Sequence, residues 1–132
     1  MDKIKQYIPQ REPVIMVDSL NEETSITGLT VKDDNIFVKN GFFREPGLIE
    51  HIAQSAAAVT GFNFVQQNKN IPLGFIASIR DLEINKLPVT GDKLVTEINI
   101  VNQVLNVVII KGHTKVNEQL IATCEMRIFI NE

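Results

Sequence analysis

The chain has no tryptophan, one tyrosine, one cysteine and two histidines among its 132 residues, and each scarcity removes a class of function. Cys124 has no second thiol with which to form a disulfide or a zinc or redox motif. It falls in the alternating run Leu120-Ile121-Ala122-Thr123-Cys124-Glu125-Met126, where it reads as a strand residue rather than a catalytic thiol. The histidines, His51 and His113, are too few and too far apart for a metal-ligand spacing, so neither a metal nor a cofactor is expected. No apolar run approaches the roughly 20 residues that span a bilayer. The opening MDKIKQYIPQ also lacks the apolar core of a secretory signal, so a cytoplasmic location away from membranes is expected. A net charge of −3 with scattered lysines offers no basic field, which argues against nucleic acid as a partner.

What remains is a composition of 44% apolar and 22% charged residues, ordinary for a globular chain and enough to bury one core, so a single domain over residues 1–132 is expected. Residues 3–7 read as a short helix stopped by Pro9, and Val14-Ile15-Met16-Val17 as a β-branched strand ending at Asp18-Ser19. Residues 25–32 and 36–38 read as further strands, separated by the turn-forming Asp33-Asp34-Asn35. From residue 47 to about 65 the period changes. Leu48, Ile49, Ile52, Ala53, Ala56, Val59 and Phe62 recur at three- and four-residue steps, Ala57 and Ala58 fill the other sides, and Pro46 suits the first turn. A helix that is apolar all round and mostly small is one that other elements wrap. Four strands follow, at 73–84, 93–101, 105–116 and 120–131, with breaks at Gly91-Asp92, Asn102-Gln103 and Asn117-Glu118. The order predicts an α+β chain in which a curled antiparallel sheet wraps one long central helix, the hot-dog arrangement.

Three segments carry a family resemblance. Pro9-Gln10-Arg11-Glu12-Pro13 with the apolar run to Asp18 resembles the Pro-His-Arg-x-Pro opening of the 3-hydroxyacyl-acyl-carrier-protein dehydratases. Gly41-Phe42-Phe43, Pro46-Gly47 and Glu50-His51-Ile52-Ala53-Gln54 resemble their Gly-His-Phe loop, Pro-Gly and Glu-x-x-Ala-Gln helix start. Pro88-Val89-Thr90-Gly91-Asp92 is similar to their Pro-Val-x-x-Gly-Asp turn. The short loop between Gly41 and Glu50 also resembles the small dehydratase-like proteins of aryl-polyene and flexirubin-type pigment pathways.

The resemblance implies a thioester of acyl carrier protein or coenzyme A as substrate or ligand, in fatty-acid or polyene metabolism. It implies Glu50 as the carboxylate acid/base and a backbone amide at the helix start, at Gly47 or a neighbour, as donor to the thioester oxygen. The family's histidine position is occupied here by Phe42, whose ring cannot exchange a proton. His51 is a substitute of lesser weight, because one helical step turns its side chain about 100° away from Glu50; packing or local capping is the other reading. His113 reads as an exposed strand residue.

Glu50 has a structural reading too, since the helix macrodipole favours a carboxylate near the N-terminus. Against it stands the setting, a lone carboxylate among small apolar side chains, with Gln54 one turn on to hold it. Gln10 reads as a loop or subunit-contact residue. Ala53, Ala56, Ala57, Ala58 and Gly61 would either leave room for an acyl chain or pack tightly. Phe42, Phe43, Phe62 and Phe75 would be tunnel walls or core, and Lys39, Arg44 and Arg80 a weak basic patch for a carrier protein. Expected substrate contacts are therefore Phe42, Phe43, Gly47, Gln54 and Ala57.

Three activities fit: dehydration, a non-catalytic subunit in a mixed dimer with a dehydratase-like paralogue, and thioester hydrolysis by a single carboxylate. All three imply a dimer, either a homodimer or a heterodimer, because a lone hot-dog sheet leaves an edge uncovered.

Overall fold

The computed structural model describes residues 3–71 and 73–131. A 3-10 turn at Ile4–Gln6 leads through an irregular segment to β1 (Ser19–Asn21) and β2 (Ile26–Thr30). A small hairpin, β3 (Val38–Lys39) and β4 (Phe42–Phe43), delivers the chain to α1 (Glu45–Gln66). The long strands β5 (Leu73–Ile84), β6 (Lys93–Val104), β7 (Val107–Val116) and β8 (Gln119–Asn131) complete it. Six strands form one sheet in the order β1-β2-β6-β7-β8-β5, antiparallel throughout. α1 lies against its inner face, touching β2, β5, β6 and β7.

At 22 residues α1 is about 33 Å long, and its apolar, small-residue surface allows this close packing. Ile52, Ala56 and Val59 bury themselves against Ile98, Ile110 and Met126 of the sheet. A second cluster sits under the β3–β4 hairpin, around Phe43, Leu48 and Leu94. At Gly61 a methyl group would overlap the Tyr7 carbonyl, so the missing side chain lets residues 4–8 lie directly on the helix. Tyr7 then packs edge-on against Phe62, with ring centroids 5.6 Å apart.

The helix and β5 lie where the sequence places them, and Asn117-Glu118 forms the expected two-residue turn, both residues at positive φ. Three expectations are corrected. Residues 14–17 form no strand. Residues 36–37 belong to a turn, and β3 begins at Val38. The break expected at Asn102-Gln103 is absent: both residues pair with β7 within β6, just past a register shift between Ile100 and Asn102, and the chain reverses instead at Leu105-Asn106, between the paired Val104 and Val107. Cys124 is a buried strand residue, and burial pushes its thiol up to about 11. Among the described residues no helix is long and apolar enough to cross a membrane.

The two sheet edges differ. β1 is three residues long, whereas β5 presents twelve residues with Leu73, Phe75, Ile76, Ile79 and Leu82 exposed.

Candidate active site

Residues 14–17 explain how the site is built. Three of their backbone groups find partners on α1 instead of on a strand: the Met16 N–H donates to Gln54 Oε1 at 2.6 Å, Gln54 Nε2 donates to the Val14 carbonyl at 2.7 Å, and the Met16 carbonyl meets His51. His51 Nδ1 lies 2.7 Å from the Met16 carbonyl. A buried segment must satisfy its polar groups, and here two helix side chains replace a sheet ladder.

The same contacts orient Glu50. Because Gln54 Oε1 accepts from Met16, its Nε2 is committed as a donor, and it donates a second bond, 3.0 Å long, to Glu50 Oε1. Glu50 Oε1 is thereby fixed as an acceptor. Any proton that the carboxyl carries resides on Oε2, the oxygen left for a ligand.

Glu50 lines a cavity of about 260 Å³ between α1, the inner side of β5 and β8, and the segment at Tyr7, Pro9 and Gln10. Between residues 50 and 61 of the helix, only Glu50, Ala53, Ala57 and Thr60 are partly exposed rather than buried, and all four line this cavity. Their spacing is that of one helix face, about 15 Å long from end to end. Ile76, Ile128 and Ile130 form the opposite wall. The alanines thus divide by role: Ala53 and Ala57 border the open space, whereas Ala56 and Ala58 belong to the core.

Of the expected substrate contacts, only Ala57 shares the cavity with the expected catalytic Glu50, and Gln54 stands behind Glu50. Phe42, Phe43 and Gly47 are not in the cavity lining. Phe43 is fully buried in the core under the hairpin, 6.5 Å from Phe37 in an edge-on pair. The Gly47 N–H, expected at a thioester oxygen, donates to the Arg44 carbonyl at 2.9 Å. The role of Gly47 is steric, since a Cβ there would stand 2.7 Å from both the Phe37 Cβ and the Phe43 ring. Phe42 is 44% exposed on β4 and bridges to Val89, outside the cavity that holds Glu50.

His51 has no exposure and no free ring nitrogen. The Met16 carbonyl only accepts, so Nδ1 carries the hydrogen, and Nε2 accepts from Thr96 Oγ1 at 2.7 Å. Thr114 Oγ1, 2.7 Å from Thr96 Oγ1, donates in turn. Burial pulls the imidazole down to about 4, against smaller opposing effects from the Met16 carbonyl and the charge of Asp18. The group is a neutral structural link with nothing to offer a substrate. His113 is half-buried on β7 rather than exposed, and it does not line the cavity. Of the proposed basic patch, Lys39 and Arg44 flank the β3–β4 hairpin, while Arg80 stands on the edge strand opposite Glu125.

Sequence reasoning missed Gln10 as a residue of the cavity that Glu50 lines. Its place in the Pro9-Gln10-Arg11 opening, where the resembling family carries histidine, was the available signal.

Comparison with known proteins places this geometry. The profile of the ApeP-like family, ApeP dehydratase, matches residues 2–132. The 3-hydroxyacyl-acyl-carrier-protein dehydratase FabZ of Wolinella succinogenes is 30% identical, over 98% of this chain and 94% of its own length. The FabZ of Thermotoga maritima is 25% identical, over 100% of this chain and 98% of its own. Among solved structures, the dehydratase heterocomplex ApeI:P from Xenorhabdus doucetiae superposes with a TM-score of 0.84 at 16% identity, covering 98% of this chain and 91% of that one. A hypothetical thioesterase from Streptococcus pneumoniae, solved with coenzyme A, gives 0.62 at 14% identity, covering 87% and 84%. These structural likenesses establish the hot-dog fold.

Proposed function

As the chain belongs to the ApeP-like dehydratase family, we propose that it binds 3-hydroxyacyl thioesters of acyl carrier protein or coenzyme A and supplies Glu50 for their dehydration, while a dehydratase-like partner chain supplies the imidazole. One observation carries this reading: Glu50 is held by Gln54 on the wall of an apolar cavity that no histidine lines. In the elimination, the partner's imidazole takes the proton from C2, and the released electron pair forms the C2=C3 double bond. The C3–O bond breaks as its oxygen takes the proton from Glu50 Oε2, and water leaves. The face from Glu50 to Thr60 gives the acyl chain an apolar bed of two alanines and the isoleucines opposite.

Two features favour a second chain. The edge strand β5 is long, has no strand on its outer side among the described residues and exposes several apolar side chains, the condition that invites another strand. Phe42, at the position of the family histidine, lies outside this chain's own Glu50 cavity, so a histidine delivered to Glu50 would come from elsewhere. The pairing is a heterodimer in this reading, and the lone unpaired Cys124 accords with a reducing compartment such as the cytoplasm.

Co-expression with a paralogue that retains Gly-His-Phe is expected to yield a mixed dimer that hydrates and dehydrates 2-enoyl and 3-hydroxyacyl thioesters, with the present chain inactive alone. Recovery of homodimers only sinks the reading. Release of free thiol from acyl thioesters without loss of the enoyl absorbance reassigns the site to hydrolysis.

A further inference from the structure

We infer that Thr60 sets the length of acyl chain that this site accepts: the apolar bed for the ligand ends there, and a polar compartment begins. This deepens the functional reading above and rests on it.

Thr60 borders two cavities. One is the cavity that Glu50 lines, and the other, of about 300 Å³, lies further along α1 toward its C-terminal end. Both walls carry over from one to the other. On the helix, Ala53, Ala57, Thr60, Phe64 and Gln67 follow one another at three- and four-residue steps, so a single stripe passes from the first cavity into the second. On the sheet, Ile128 of the first lining and Val108 of the second are direct cross-strand partners on β8 and β7.

The linings differ in kind. Between Glu50 and Thr60 the helix offers alanines, with Ile76, Ile128 and Ile130 opposite. Beyond Thr60 most of the lining side chains are polar: Asn63, Gln66, Gln67 and Lys69 on or just after the helix, and Gln103 on β6. The ring of Phe64 is met by Lys69, whose Nζ lies 5.7 Å from its centroid. A methylene buried in the first cavity strengthens binding roughly fourfold. One pushed into the second displaces water from carboxamides that it cannot hydrogen-bond, and that cost cancels the gain. The bed from Glu50 to Thr60 is about 15 Å long, which a zigzag chain with bonds of about 1.5 Å covers in roughly twelve carbons. With C3 at Glu50, the chain end therefore reaches Thr60 between the tetradecanoyl and hexadecanoyl lengths.

The test measures binding of saturated acyl-pantetheines, from hexanoyl to octadecanoyl in two-carbon steps, by displacement of a fluorescent fatty-acyl probe below micellar concentrations. The full chain is used, alone and paired with a Gly-His-Phe paralogue. Affinity in the wild type is expected to rise at each step up to tetradecanoyl and to level off from hexadecanoyl onward. Thr60→Val, nearly the same in shape but without the hydroxyl, is expected to strengthen hexadecanoyl about fourfold, the effect of one more buried methylene, and to leave hexanoyl unchanged. Ala57→Leu, which fills the bed short of Thr60, is expected to move the break to a shorter chain. A rise that continues unbroken to octadecanoyl, or a hexadecanoyl affinity that Thr60→Val leaves unmoved, overturns the inference while leaving the function standing. Wild type that binds none of the series in either state overturns the functional reading and this inference together.

Discussion

Glu50→Gln in the mixed assembly is expected to lower turnover of a 2-enoyl thioester by at least about a hundredfold, the low end of what a positioned acid/base contributes, with assembly and ligand binding retained. The substitution is close to isosteric, and Gln54 Nε2 can still donate to the new amide oxygen in place of Glu50 Oε1. What is lost is the second oxygen with its exchangeable proton. Steady-state kinetics on the purified complex separate this from a packing defect: kcat falls while KM stays near its starting value. Unchanged turnover would remove Glu50 from the chemistry.

Acidification is expected to reveal the second large effect, through His51. In the unfolded chain this imidazole takes up a proton near its ordinary value of 6.5, whereas in the folded chain burial holds it down to about 4. The unfolded state therefore binds the additional proton between these limits. Stability is full above pH 6.5 and falls as the pH drops through this window, by about 2 kcal/mol at pH 5 and about 3 kcal/mol at pH 4. Protonation would place a cation where Nε2 now accepts from Thr96, in a region with no exposure. Glu12 and Glu22 also titrate, but their ion pairs with Lys5 and Lys3 hold them below the ordinary carboxylate value, so their contribution falls at lower pH. Urea unfolding at pH 7.5, 6 and 5 is the measurement, with His51→Gln as the control that removes the slope. A wild type equally stable at pH 7.5 and 5 would contradict the neutral link.

The sequence made α1 legible because its apolar residues leave no polar side, a pattern only an enclosed helix tolerates. β5 was equally clear, and its bounds, Leu73 to Ile84, are those read from its β-branched and alternating residues. Errors arose where tertiary partners decide. Val14 to Val17 is strand-like in composition, yet three of its backbone groups bond Gln54 and His51, thirty-five or more positions away. Asn102-Gln103 has turn chemistry, but pairing with Val108 and Ile109 keeps both residues in β6 and moves the reversal to Leu105.

The site was half legible for the same reason. Glu50 and Gln54 stand one turn apart on a helix, a relation that spacing reveals. Gly47 reads as an anion-binding amide from its place at the helix start, and only the Phe37 and Phe43 rings show that it is there to make room. Gln10 reaches the cavity because Gly61 admits the Tyr7 backbone to the helix surface, a contact between residues 54 positions apart. The division between Ala53 and Ala57 at the cavity and Ala56 and Ala58 in the core was likewise open, since packing and hollow space favour the same small side chains.

The central claim is that this chain keeps the carboxylate of a dehydratase site and lacks the imidazole. Hydration of a 2-enoyl thioester by the chain expressed alone, measured as loss of the enoyl absorbance for wild type and for Phe42→His, tests it most directly. A silent wild type is expected, with measurable turnover once two Phe42→His copies pair so that each brings its new imidazole to the other's Glu50, abolished again when Glu50→Gln is added. Turnover by the unpaired wild type, or a folded and dimeric Phe42→His that remains silent, would contradict it.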